Sequence, residues 1–333
     1  DHARASKLIE SLILGLPVPQ LFLYEQSRNR FLVIDGQQRL MTIYYFIKKR
    51  FPKKDKRVEL RSIFDREGKI PDDILYNNEY FDEFNLRLSG NYPNKINKFN
   101  KLNYSTLGEY KTQFDLRPLR NIVVKQNSPT DDDSSMYEVF NRLNTGGVNL
   151  RPQEIRTSMY HSKFYNMLYR INQNQKWRLL LQSAEPDIHM KDIEIILRGY
   201  AMLIDGDSYS PSMLQFLNKF SKKCETHSDE KNAFLERIFL RFLESCQNLP
   251  SNAFLNKKSN RFNIALFEAA FTAVCRIGFL DRTEVVGVID PDSLRELEDD
   301  KLFTDAAIEG TTRTLNVENR LSRAKALIRI NAY

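Results

Sequence analysis

Phe31-Leu32-Val33-Ile34-Asp35-Gly36-Gln37-Gln38-Arg39 is an apolar, β-favouring run that breaks at Asp-Gly. Helical character follows over residues 40–47. A strand that passes through a tight turn into a helix has this pattern. Upstream, residues 21–24 form a second expected strand, joined to residues 30–34 by the polar turn 25–29. Earlier still, Ala5, Leu8, Ile9, Leu12 and Ile13 share one helical face within residues 3–15. Gly15 can cap that helix, and Pro17 and Pro19 prevent its continuation. The chain therefore opens helix, strand, strand, helix.

The turn carries chemistry that suits phosphate. A helix N-terminus supplies unpaired N–H groups and a dipole that favours an anion. Gly36 permits a tight turn and close approach of a ligand. Gln37 and Gln38 bring side-chain amides, and Arg39 a planar guanidinium that matches phosphate geometry. Thr42, one turn later, can reach the same ligand or a metal. Against this, strand-Asp-Gly-helix junctions are common, so these residues alone leave a purely structural turn open. The GxxxxGK[ST] and GxGxxG patterns are absent, so a nucleotide site here is of another type.

A second glycine motif lies at Phe140-Asn141-Arg142-Leu143-Asn144-Thr145-Gly146-Gly147, followed by Leu150 and Gln153-Glu154-Ile155-Arg156. A helix C-cap and an inter-helix turn explain Gly146 and Pro152. They do not explain why Asn141, Arg142, Asn144 and Thr145 crowd one helix end, where they can complete a polar pocket.

The rest of the chain sets the frame. Its 333 residues allow two or three packing units, and 41% hydrophobic with 28% charged residues is the balance of a globular protein. No run approaches the roughly 18 apolar residues of a membrane span, and no signal-peptide pattern opens the chain. Cys224, Cys246 and Cys275 form no CxxC pair, so they read as reduced thiols of a cytoplasmic protein. The net charge of +7 permits DNA contact without demanding it. The densest basic run, residues 48–57, contains Pro52 and reads as an exposed, solvated loop. Residues 51–118 are polar and irregular, with short helices and long loops expected, and residues 119–125 read as a further strand. Asp131-Asp132-Asp133 precedes the capping box Ser135 to Glu138, so its charge has a sufficient reason in a helix start. From about residue 160 the pattern is helical, with apolar faces in 192–203, 262–278 and 315–328. The division expected is an α+β unit over 1–160 and a helical unit over 161–333.

Taken together, these motifs resemble the GmrSD restriction endonuclease N-terminal domain family, whose hallmark is DGQQR. The resemblance rests on Lys7-Leu8-Ile9-Glu10-Ser11 with Leu16-Pro17-Val18-Pro19, on Ile34 to Leu40 with Thr42, on Phe140 to Arg156, and on Asp192 to Arg198. It implies a ParB/sulfiredoxin-like fold in which the turn at 35–39 holds nucleotide phosphates. It further implies a nucleoside triphosphatase (a hydrolase) in phage defence, acting in restriction of modified DNA, with a separate HNH nuclease domain cutting the DNA.

Two departures qualify the resemblance. The family carries an aromatic and Gln-Arg-containing stretch ahead of its first helix, and here the chain starts at Asp1-His2-Ala3-Arg4, so the N-terminus is expected to be incomplete. His2, His161, His189 and His227 are isolated from any HNH signature. Nuclease activity is therefore expected from a partner or a further domain. The resulting assignment gives catalytic roles to Asp35, Gln37, Gln38 and Arg39. The nucleotide contacts are Gly36, Gln37, Gln38, Arg39, Thr42, Asn141, Arg142, Asn144 and Thr145, with Mg²⁺ at Asp35. The alternative is a non-catalytic subunit that binds DNA or docks a nuclease.

Overall fold

The computed structural model describes residues 1–90, 97–125, 139, 151–187, 189–257, 259–284 and 287–331. The chain divides into two compact units, Asp1–Asn149 and Leu150–Tyr333. The architecture is mixed α and β, mainly helical with small sheets.

The first unit opens with helix α1 (His2–Leu14), which ends at Gly15 in the left-handed conformation (φ 74°). Strands β1 (Leu21–Ser27) and β2 (Arg30–Asp35) then pair antiparallel, and helix α2 (Gln37–Lys48) follows directly. The helix-strand-strand-helix opening is therefore present. Strand β1 continues through residues expected to form a turn, because its pairing with β2 extends to Ser27 opposite Arg30.

Next come β3 (Arg50–Pro52), α3 (Arg57–Glu67), α4 (Asp72–Leu75), β4 (Phe81–Glu83), α5 (Tyr110–Asp115) and β5 (Asn121–Val124). Strand β5 lies parallel to β1, giving a three-stranded sheet of order β2-β1-β5. Helix α1 packs on α2 and α5. Ile9, Leu12 and Ile13 of α1 bury against Phe46, Phe84, Phe99 and Phe114. A smaller cluster of Leu60, Ile70, Leu75 and Phe81 lies beside it. Burial of such aromatic and aliphatic side chains supplies the main driving force for the unit, at roughly 25 cal/mol per Å² of apolar surface.

The basic run at 48–57 departs from the exposed loop expected of it. Residues Arg50–Pro52 form strand β3, antiparallel to β4. Arg50 is buried and donates to the carbonyls of Leu75 (2.9 Å) and Phe81 (2.9 Å) and to Asn78 Oδ1 (3.0 Å). Lys53 donates to the Asn78 carbonyl at 2.6 Å, and Lys56 pairs with Glu79 at 2.7 Å. A guanidinium can satisfy several carbonyls at once while its charge stays compensated. Three of these cations thus staple the segment to residues 75–82.

The second unit contains α6 (Pro152–Met159), α7 (Lys163–Asn172), α8 (Gln175–Leu181), α9 (Lys191–Asp205), a 3₁₀ turn (Gly206–Ser208) and α10 (Met213–Cys224). It continues with α11 (Asp229–Ser245), α12 (Ile264–Asp281), β6 (Val288–Ile289), α13 (Pro291–Asp299), α14 (Lys301–Ile308), α15 (Thr314–Leu327) and β7 (Ile330–Asn331). Helix α9 packs on α12, and α12 on α15. Trp177, Tyr200, Phe239, Phe267 and Phe271 meet in the core as edge-on, tilted and stacked rings. Among the described residues, no helix is long and apolar enough to cross a membrane.

Candidate functional site

The site is assembled at the carboxyl end of β2. Asp35 is the last residue of that strand and pairs with Phe22 of β1. Gly36 follows with φ 103° and ψ 5°, a conformation that side chains disfavour. A Cβ added there would stand 2.3 Å from Leu21 Cδ2 and 3.3 Å from Arg39 Nη2. The backbone conformation therefore favours glycine, and any side chain there would have to displace the Leu21 methyl. Helix α2 starts at the next residue, three earlier than the apolar pattern indicates, because Gly36 itself serves as its N-cap.

The N-cap residue Gly36 offers no side-chain hydrogen bond to the start of α2. The first regular hydrogen bond of the helix runs from Leu40 N–H to the Gly36 carbonyl at 3.0 Å. The first-turn N–H groups of a helix have no partner inside it and carry the positive end of the dipole. Gln37 and Gln38, both exposed, stand over that end. Thr42 spends its hydroxyl proton on the Gln38 carbonyl at 2.7 Å, which leaves only its lone pairs for a ligand.

Arg39 is braced on two sides. Nη1 donates to the carbonyls of Pro19 (2.6 Å) and Gln20 (3.2 Å), and Nη2 to Asp35 Oδ2 (2.6 Å). The Pro-x-Pro segment that ends α1 is thereby tied to the turn. The sequence placed Asp35, Gly36, Gln37, Gln38 and Arg39 at one turn, and they are together. It did not reveal that Arg39 would hold Asp35, although an Asp and an Arg four residues apart fall on one helical side.

Asn141, Arg142, Asn144 and Thr145 lie outside the described residues, as do Asp131 to Asp133. Among the described residues, no group of three or more His, Cys, Asp and Glu is placed to hold a metal ion. Asp35 offers one half-exposed carboxylate. That suits Mg²⁺, which commonly takes one or two carboxylates and completes its shell with phosphate oxygens and water.

The Gln153 to Arg156 stretch has a structural role within the second unit. Gln153, Glu154 and Arg156 are all buried. Arg156 bonds Gln153 Oε1 and donates to Asn218 Oδ1 at 2.9 Å, with Glu194 Oε2 at 3.9 Å. Burial raises the pKa of Glu194, but the hydrogen bond from Lys191 and the charges of Lys191, Arg156 and Arg198 outweigh it and lower it. Glu154 accepts from the Arg151 N–H at 2.8 Å and closes a capping box for α6. Asp192 belongs to a second buried network, accepting from Arg178 (2.8 Å), Asn172 (2.8 Å) and the Asp187 N–H (2.9 Å).

The histidines occupy separate surroundings. His2 packs on Phe51 and Phe84, and burial lowers its pKa to about 4. His189 stands 3.4 Å from Glu154. His227 sits edge-on to Phe164. Burial raises the thiol pKa of Cys224, Cys246 and Cys275, which favours the protonated thiol over the thiolate.

No curated protein and no solved structure matches the chain. Residues 1–161, however, match the family described as GmrSD restriction endonuclease, N-terminal domain. That match covers the strand-turn-helix of residues 30–48 and the whole of α6. Residues 1–161 of this chain thus match the GmrSD restriction endonuclease N-terminal domain family, the family that the DGQQR and Phe140 to Arg156 motifs resemble.

Proposed function

We propose that the first unit binds a nucleoside triphosphate at the turn Asp35 to Arg39 and hydrolyses it, as the regulatory module of a system that restricts modified DNA in phage defence. The observation that carries this reading is the N-terminus of α2, which its N-cap residue Gly36 leaves without a side-chain cap and where the left-handed backbone keeps the approach open. A helix end of that kind presents N–H groups to an anion. The family that residues 1–161 match supplies the restriction context, and a ParB/sulfiredoxin-like fold for this unit is part of the same proposal.

In this mechanism the N–H groups of Gly36, Gln37 and Gln38 cradle the phosphates, and Arg39 adds positive charge beside them. Gln37 or Gln38 orients the attacking water through its amide. Asp35 takes a proton from that water or holds Mg²⁺, which when bound neutralises charge on the phosphates. Positioning and electrostatic stabilisation dominate phosphoryl transfer, so a site made of dipoles, amides and one guanidinium is sufficient in kind. Asn141, Arg142, Asn144 and Thr145 remain proposed as further nucleotide contacts. The DNA and the nuclease that cuts it are proposed as partners, the nuclease lying in another domain or chain.

The test is turnover of each of the four ribonucleoside triphosphates with Mg²⁺, comparing wild type with Arg39→Ala. The reading expects release of phosphate by the wild type, at least tenfold reduced in the variant. Equal turnover by the two would remove Arg39 from the site.

A further inference from the structure

The two sides of Arg39 differ in kind. Pro19 and Gln20 offer neutral carbonyls, held in place by the backbone that leads into β1, where the Leu21 N–H donates to the Arg120 carbonyl at 2.9 Å. Asp35 offers a charged carboxylate on a rotatable side chain. The Asp35 side chain is 44% exposed, whereas that of Arg39 is 18% exposed. The partner with free access to water is the one that can leave. A phosphoryl oxygen is also the same kind of acceptor as that carboxylate, an anionic oxygen within hydrogen-bond reach of the guanidinium.

We propose that the Asp35–Arg39 pair is an exchangeable latch. A phosphoryl oxygen of the ligand displaces Asp35 Oδ2 from Arg39 Nη2, while Nη1 stays on the Pro19 and Gln20 carbonyls. The proposal rests on the reading of this turn as a nucleotide site and adds that an internal carboxylate competes for it. The carbonyl anchors hold the guanidinium beside Gly36 in both states, so the exchange replaces one anionic partner by another without moving the backbone. Neutralisation by Asp35 also keeps the cation from being left uncompensated when no ligand is bound.

A competitor of this kind weakens apparent affinity by the fraction of time the site is open. A latch closed nine-tenths of the time would cost about tenfold in affinity, which its removal would restore.

The experiment is calorimetric titration of the full chain with inorganic triphosphate in EDTA, for wild type, Asp35→Asn and Asp35→Ala, with circular dichroism confirming the fold. EDTA removes any contribution of Asp35 as a metal ligand. Both variants are expected to bind about tenfold more tightly than wild type. Arg39→Lys is expected to bind more weakly, since an ammonium cannot hold the two carbonyls and a phosphate in one plane. Equal or weaker binding by folded Asp35→Asn and Asp35→Ala overturns the latch and leaves nucleotide binding by the wild type intact. Failure of wild type and variants to bind triphosphate or any ribonucleoside triphosphate, with or without Mg²⁺, overturns the nucleotide reading and the latch with it.

Discussion

Arg39 Nη2 lies 2.6 Å from Asp35 Oδ2, so the two charged residues of the turn hold each other across the first turn of α2. The same guanidinium ties down the carbonyls of Pro19 and Gln20. Arg39 therefore contributes to stability as well as to the site. Arg39→Ala should cost about 1.5–3 kcal/mol, the usual range for hydrogen bonds that involve a charged group. Urea unfolding of the full chain measures this, and a change under 0.5 kcal/mol (on the order of an ordinary surface substitution) would argue against the brace.

Gly36→Ala should be costly for two separate reasons. The position demands φ 103°, and the new methyl would meet Leu21 Cδ2 at 2.3 Å. Backbone strain of this type is worth about 1–3 kcal/mol before the clash is counted. The variant should also lose triphosphate binding, because relief of the clash moves the turn. Thermal melting and titration on the same sample check both effects.

Arg156→Ala tests whether the Gln153 to Arg156 stretch serves the second unit's packing. It would leave Gln153, Asn218 and Glu194 without their buried partner. A loss of about 1–3 kcal/mol is expected, as when a buried polar group is left without its hydrogen-bond partner. Chemical denaturation reads it out. A wild-type midpoint would show that Arg156 is dispensable to the core.

The opening of the fold was readable because its signals are local. The face of α1, the stop at Pro17 and the strand-Asp-Gly-helix junction all lie within 40 residues, and the helices at 192–203, 262–278 and 315–328 carry a clear 3.6-residue period. What escaped depends on contacts distant in sequence. Strand β3 is three residues long, and its partner β4 begins 29 residues after β3 ends, so no pattern around Arg50 reveals that this cation is buried. The parallel pairing of Leu21 with Asn121 spans a hundred residues. At the site, the sequence put Asp35 to Arg39 on one strand-to-helix turn, but the bond of Arg39 to the Pro19 carbonyl required the geometry. The buried group around Arg178 and Asp192 was likewise hidden, because its hydrogen bonds join residues of separate helices.

His227 gives a prediction about pH. Burial first, and then the charges of Lys231 and Lys223, lower its pKa to about 4 against the opposing pull of the Asn232 side chain and Asp205. In the unfolded chain a histidine titrates near 6.5. Between those values the unfolded state binds more protons than the folded one, so stability falls as pH falls through that window. The contribution is complete above about 6.5. Melting temperatures between pH 7 and 4.5 should therefore fall less steeply for His227→Phe, which keeps an aromatic ring against Phe164, than for wild type. Parallel slopes would show that His227 takes up protons equally in the folded and the unfolded chain.

The central claim is that the N–H groups at the start of α2 hold phosphate. Backbone amide NMR of the full chain, titrated with each ribonucleoside triphosphate and Mg²⁺, tests it most directly. The account predicts saturable shifts of the Gly36, Gln37 and Gln38 amide resonances that disappear in Arg39→Ala. Saturable binding that leaves those three amides unmoved and shifts residues elsewhere would contradict it.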